Sequence, residues 1–427
     1  MIAKLQSLTL RIGERNILIG IALLALIGEL IAMPSPSFFG EPYLVAKHIV
    51  AGQGFIFLYP VTNLEGPTCY VTPLYAYIQA GVLFLGIGER GIQVLNLLFL
   101  QVSCLVLYRF FRHFTSPNIA IIIFAALSFY VPFWVLSYTL EPNTLNLLLV
   151  AMTVDRLYHL SKAPSNKLWL QFGILLGLQL LLRPDILLGF VLFAAWLIFY
   201  RKGSFVTTAK GLAIAILIAL AIVSPWTIRN SLTFHRFVLV SANSGMNLFE
   251  GNNPVATGEF SENPPTDESR RDFAAILDYS KSHDQIEVDQ YRLKLSEEWI
   301  LAHPVEVFAL DMKKIWWHWY GRSIIGEQFH YKYQVFATPY RVVTVLMLLL
   351  AFYGLFTLRD RNLRSLLITV FIYSTLVSAI FFVQSRHRIL KCDPFLLPLA
   401  VIGASVVVTF RSRSRSDKDR EIEQISP

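Results

Sequence analysis

The sequence predicts an all-α polytopic membrane protein, and three observations carry that reading. The 427 residues are 55% hydrophobic with a mean hydropathy of +0.52. Only 15% are charged, where a soluble domain would carry about 25%. Apolar runs of spanning length recur from position 17 to position 410. The net charge of +8 would suggest nucleic acid in a soluble protein. Here the basic residues cluster between apolar runs, which fits membrane orientation and excludes a nucleic-acid partner. Three cysteines (Cys69, Cys104, Cys392) make neither a disulfide framework nor a metal spacing. No internal repeat is evident.

A spanning helix needs roughly 20 apolar residues. Ten runs qualify, at 17–33, 91–110, 118–136, 142–160, 166–182, 185–200, 207–226, 341–358, 364–383 and 392–410. The first has no small-residue cleavage site after it and reads as a retained helix. The run PLYAYIQAGVLFLGIG at 73–88 is ambiguous by length. Charge resolves it. If 73–88 does not cross, one set of loops holds Lys4, Arg11 and Arg15; Arg109 and Arg112; Arg156, Lys162 and Lys167; Arg201, Lys202 and Lys210; Arg359, Arg361 and Arg364; and the tail from Arg411. That is a positive-inside pattern with both termini cytoplasmic. The segment 73–88 is therefore expected to lie in, or dip into, the outer interface.

The resulting organisation is an N-terminal transmembrane module (1–226) whose outer loop 34–90 carries interfacial helices, an extracytoplasmic segment (227–340) of mixed character, C-terminal transmembrane helices (341–410) and a cytoplasmic tail (411–427). The tail, RSRSRSDKDREIEQ, is expected to be disordered from its charge. Near the end of the outer segment, HPVEVFALDMKKIWWHWYG sets Trp316, Trp317 and Trp319 beside Lys313 and Lys314, a mixture that suits an interfacial helix.

Candidate chemistry gathers on the outer side. Glu41, in FFGEPYLVAKHIVAGQGF, and Glu141, in SYTLEPNTLNLLLVAM, each precede a proline. Each reads as an N-cap ahead of a proline-started helix, whose dipole would keep the carboxylate ionised and its pKa low. Glu65 is a third outer carboxylate. Cations on this side run against the positive-inside bias: Arg183 in LLLRPDILL, Arg229 in SPWTIRN, and Arg386, His387 and Arg388 in QSRHRILKCDP. Arg183 can pair with Asp185. The 386–388 cluster reads as an anion site, because three adjacent basic groups repel unless something negative joins them, and arginine forks match phosphate oxygens. Carboxylates facing a cationic cluster at a membrane surface suggest group transfer. A carboxylate takes a proton from an acceptor hydroxyl or amine, and the cations hold a phosphate leaving group. No nucleotide-binding loop is present, so the donor would be lipid-linked.

Taken in order, EPYLVAKHIVAGQGF, GPTCYVTPLYAYI, LEPNTLNLLLVAM, LLRPDILL, PWTIRNSLTFHRFVLVSANSGMNLFEGNNPVATG and SRHRILKCDPFLLPLA resemble the GT-C superfamily of polyprenyl-phosphate-sugar-dependent glycosyltransferases. The likeness is greatest to the bacterial family 39 group, related to protein O-mannosyltransferases and lipid A aminoarabinose transferases. It implies a GT-C-type membrane fold with acidic outer loops around a cavity. It implies Glu41 as the base or acceptor-positioning acid and Glu141 as the second-loop acid. Arg386 and Arg388 would lie near the donor phosphate, with Arg229 a further phosphate contact. The chain departs from the family in carrying Glu41 two residues before Tyr43, where an Asp in a differently spaced motif is common, and in reading VTPLY where a second proline often stands. Glu65 is the alternative base. Some relatives bind a divalent metal ion; His387, His48 and His235 are only loosely placed for one.

The expected activity is transfer of a sugar from a polyprenyl-phosphate donor to a lipid, glycan or protein acceptor, in the cytoplasmic membrane of a bacterium with the active site extracytoplasmic. A transporter, flippase or polymerase component for lipid-linked sugars is the alternative. It would call for ionisable or broken segments near mid-membrane, whereas Glu29, Asp155, Pro132 and Pro225 all stand near span ends.

Overall fold

The computed structural model describes residues 13–36, 40–58, 65–200, 203–259, 267–320 and 334–425. The first apolar run forms α1 (Glu14–Ala32). After it the chain does not cross at once. α2 (Glu41–Val50) and α3 (Pro73–Phe84) pack on each other, and between them Ile56–Leu58 (β1) and Glu65–Pro67 (β2) form an antiparallel hairpin with Phe57 opposite Gly66. At 12 residues α3 is about 18 Å long, too short for a bilayer core of about 30 Å. Pro73 opens it, and Gly86 (φ 73°) and Gly88 (φ 70°) turn the chain into the next helix. The interfacial reading of 73–88 therefore matches the helix found.

The remaining predicted spans each coincide with a helix or a bent helix pair. These are α4 (Gly88–Arg112), α5 (Pro117–Ser128) with α6 (Val131–Tyr138), α7 (Asn143–Lys162), α8 (Asn166–Leu182), α9 (Ile186–Tyr200) and α10 (Phe205–Phe234). Beyond the next segment follow α15 (Gln334–Thr357), α16 (Arg361–Ile380), and α17 (Ser385–Lys391) with α18 (Asp393–Ile425). By length and composition five of the described helices can cross a membrane, and seven segments can if each bent pair is one crossing. The bends are 42° at α5–α6, beside Pro132, and 62° at α17–α18, beside Pro394. α8 and α9, at 17 and 15 residues, are apolar but short. This is a multi-pass membrane protein.

Helices in a bilayer gain little from apolar burial against one another, so close backbone approach matters. Two of the tightest pairs use glycine for it. A Cβ on Gly354 or Gly403 would strike the backbone of the facing helix across α15–α18. Gly173 and Gly177, four residues apart, receive Ala215, Ile218 and Ile222 of α10. One end of the bundle is tied by polar side chains: Lys162 pairs with Asp360 at 2.9 Å, Tyr158 donates to Asp360 at 2.8 Å, and Asn362 donates to Ser161 at 3.1 Å.

At the other end lie α2, α3 and a second body of helices, α11 (Ser244–Gly251), α12 (Asp267–Ser280), α13 (Gln285–Ala302) and α14 (Pro304–Tyr320). Asp284 starts α13 with a complete capping box through Glu287. Asp289 then accepts from the backbone amides of Gly245 and Met246, which fixes the start of α11.

The tail differs from expectation, since helix continues to Ile425 instead of giving way to disorder.

Candidate active site

Three loops that are distant in sequence converge at the end of the bundle that carries α2 and α3. Glu41 is the first residue of α2, and Pro42 sets the helix start. Glu141 lies in the short link between α6 and α7. Arg386 lies on α17. The Glu41 carboxylate feels the charges of both Glu141 and Arg386, and the Tyr70 hydroxyl hydrogen-bonds to it. Arg386 and Arg183 act in turn on Glu141. Glu41 is exposed at the surface of this end of the bundle, with Glu141, Arg386 and Tyr70 around its carboxylate.

The two Glu-Pro pairs are not caps of their own helices. The N-cap of α2 is Gly40 and that of α7 is Pro142, and neither helix has a side-chain cap. Instead Glu141 sits against the N-terminus of the other helix: a Cβ placed on Gly40 would run into the Glu141 carboxylate. The free amides and dipole at the start of α2 favour that negative charge.

The expectation of a low pKa for Glu41 is overturned. Burial pushes its carboxyl up to about 7, and the neighbouring Glu141 charge adds to the rise. Arg386 and the Tyr70 hydroxyl oppose it without cancelling it. The density of protein around the carboxyl and a like charge thus outweigh the helix dipole, whose effect is typically ~0.3–1 kcal/mol. Burial raises the Glu141 pKa as well, against the pull of Arg386 and Arg183.

The basic residues separate into two groups. Arg386 and Arg183 belong to the recess. Arg183 also stands 3.6 Å from Asp185, as expected, and Asp185 is held in addition by Lys391. Arg388 points elsewhere. Its guanidinium is 3.1 Å from Asp393, donates to Trp319 O at 2.8 Å and donates to the Tyr340 hydroxyl at 2.7 Å, with only 2% of the residue exposed. His387 is buried beside Ser378 and Phe382. Arg229 is taken up between α10 and the hairpin. It donates to Thr68 O at 2.7 Å and Phe55 O at 3.3 Å and lies over the Phe55 and Trp226 rings. The 386–388 cluster is thus not one anion site, because successive helical residues point about 100° apart.

The side chain of Glu65 lies outside the described residues; its backbone stands in β2, opposite Leu58. His48 pairs with Gln53 on α2, and His235 ends α10 with φ 54°. Among the described residues no three His, Cys, Asp or Glu side chains gather to hold a metal ion, and the recess offers two carboxylates beside a guanidinium.

Sequence reasoning did not single out Gly40, Tyr70, Lys391 or Asp393. Gly40 had a signal in its place before Glu-Pro, where glycine is a good N-cap. Asp393 had one in its spacing of five from Arg388. The long piece around GNNPVATG, part of the resemblance to the family, supplies no reacting group to the site. It cradles the turn before α17: Gly251 abuts Phe381 O, Asn252 donates to Ile380 O at 2.8 Å, and Val383 N donates to Gly258 O at 2.9 Å.

The comparisons with known proteins agree with this architecture. A family model described as dolichyl-phosphate-mannose-protein mannosyltransferase matches residues 70–228, less than half of the chain. Among solved structures, the chain is similar to the oligosaccharyltransferase AglB of the archaeon Archaeoglobus fulgidus, solved in complex with an inhibitory peptide and a dolichol-phosphate. The TM-score is 0.56 at 12% identity, over 96% of this chain and 52% of that one. The chain thus spans about half the length of that protein. Comparison with characterised protein sequences returns no match. Over nearly its whole length the chain shares the all-α polytopic fold of that oligosaccharyltransferase, the fold the resemblance implied.

Proposed function

We propose that this protein is an integral-membrane glycosyltransferase that moves a sugar from a polyprenyl-phosphate donor to an acceptor hydroxyl or amine at the extracytoplasmic face. One observation carries the reading: Glu41, Glu141 and Arg386, from three separate loops, meet in one recess at one end of the bundle. The family match and the structural likeness support the lipid-linked donor.

Glu41 is the base. A carboxyl whose pKa stands near 7 is half ionised at neutral pH and is a stronger proton acceptor than an ordinary carboxylate. The acceptor oxygen or nitrogen attacks the anomeric carbon and its proton passes to Glu41. The bond from that carbon to the phosphate oxygen breaks, and the electron pair leaves with polyprenyl phosphate. Displacement from the face opposite the leaving group inverts the anomeric centre. Arg386, with Arg183 behind it, faces the charge that grows on the departing phosphate. Arg388, His387 and Arg229 support the site from behind. The membrane is the bacterial cytoplasmic membrane in this reading, and the body formed by α11–α14 contributes to acceptor selection.

The test is transfer of labelled sugar from a polyprenyl-phosphate donor to membrane extract by purified protein in detergent. Glu41→Gln is expected to lose about 10²–10⁴-fold in rate. Near-normal transfer by that variant would remove Glu41 from the mechanism. Lipid movement without covalent transfer by the parent would replace the enzyme with a flippase.

A further inference from the structure

α14 has two faces of opposite character. On one face, Lys314 and His318 are buried against the end of α16. Lys314 donates to Ala379 O at 2.8 Å and to Asn252 Oδ1 at 2.9 Å. The His318 ring lies 2.9 Å from Ser378 Oγ and 3.3 Å from Ser374 Oγ. Trp319 Nε1 donates to Thr375 Oγ1 at 3.2 Å. On the other face, Phe308, Met312 and Trp316 follow one another at four-residue spacing and are exposed by 65%, 45% and 59%. Among the described residues those three form an exposed apolar stripe, on the face away from Lys314 and His318.

α16 supplies a ruler for depth. It exposes Ile368, Ile372, Leu376 and Ile380, every fourth residue of a span, which is its lipid-facing side. Thr375 stands about 21 Å along α16 from Arg361, inside a hydrocarbon core of about 30 Å. Trp319 touches Thr375, and its ring lies 5.9 Å from that of Phe371, so the last turn of α14 sits at the level of that lipid-facing stretch. Lys314 meets Ala379, one turn nearer the end of the span. Going from Lys314 to Trp319 along α14 therefore goes deeper along α16. With Glu306, Asp311, Lys313 and Lys314 in its 17 residues, α14 is not apolar enough to cross.

We propose that α14 is a half-inserted helix that rests Met312 and Trp316 on lipid acyl chains of the leaflet nearest the site, while its opposite face holds the α16–α17 corner that carries Arg386. The stripe is continuous in depth with the lipid-facing side of α16, and this singles out the bilayer as its occupant. Trp316 and Tyr320, stacked at 5.1 Å, and the exposed Lys313 are residue types that settle at the border of headgroups and chains. The inference needs no assumption about the reaction.

The test uses the full chain in lipid nanodiscs. The described native cysteines Cys69, Cys104 and Cys392 are all buried, so spin labels can be directed to Phe308→Cys, Met312→Cys and Trp316→Cys, with Ile372→Cys on α16 as the lipid reference. Labels at 312 and 316 are expected to collide with oxygen and to be shielded from a water-soluble nickel complex, as at 372, with 308 intermediate. Nickel access at 312 and 316 would overturn the proposal by placing the face in water. Protection from both reagents would overturn it by showing that a protein or a second copy covers the stripe. A milder variant guards against misfolding: Trp316→Phe should lower the fraction of tryptophan fluorescence quenched by brominated lipid, and an unchanged fraction would equally count against insertion.

Discussion

At the scale of single residues, the site turns on a carboxylate pair with unlike seats. Glu141 rests against Gly40 at the start of α2, near free amides, while Glu41 projects from the same helix start into the recess. A base works only when deprotonated, so kcat/KM is expected to rise with pH through an acid limb centred near 7 and to level off above it. The Glu141 charge raises the Glu41 pKa, so Glu141→Gln should move that limb to lower pH. A limb that stays in place in an active Glu141→Gln enzyme would assign it to another group. Gly40→Ala tests the seat itself, because the added methyl meets the Glu141 carboxylate. Transfer should fall at least about tenfold, and the double variant Gly40→Ala, Glu141→Gln should lose no more than the larger single loss, since both act on one contact.

At the scale of elements, α17 sorts its basic residues by direction. Arg386 faces the recess and Arg388 the buried Asp393, with His387 turned between packed side chains. Breaking a buried pair leaves a charge without its partner and costs about 3–5 kcal/mol. Arg388→Ala should therefore lower the melting temperature in detergent sharply, whereas Arg386→Ala should lose transfer while melting close to the parent. The reverse pattern would exchange their roles. This is also where the sequence stopped being legible. Each apolar run coincides with a helix or a bent helix pair, because a bilayer demands about 20 apolar residues whatever the partner helices are. The charge of the loops excluded 73–88 as a crossing, for the same reason of long-range physics. Arg386, His387 and Arg388, by contrast, are neighbours in a string, and only the helical turn between them says that they share no ligand. The seat of Glu141 on Gly40 depends on two loops a hundred residues apart, for which local pattern carries no signal.

At the scale of the whole molecule, the proposed reading has ten segments crossing the bilayer with the basic loops on the cytoplasmic side. Lys281→Cys, exposed beyond α12, should then react with an impermeant thiol reagent in intact cells. Lys167→Cys, exposed at the start of α8, should react only after permeabilisation. The opposite labelling would invert the molecule in the membrane. The convergence of Glu41, Glu141 and Arg386 has one more consequence, which concerns the order of synthesis. The two acids leave the ribosome long before the arginine that faces them, and Arg386 can take its place only once the corner between α16 and α17 has been threaded. Until then the nascent chain holds two mutually repelling carboxylates with Arg183 but without Arg386 beside them. On the proposed mechanism, translation halted before the last two helices should release a product that is inserted in the membrane but transfers no sugar.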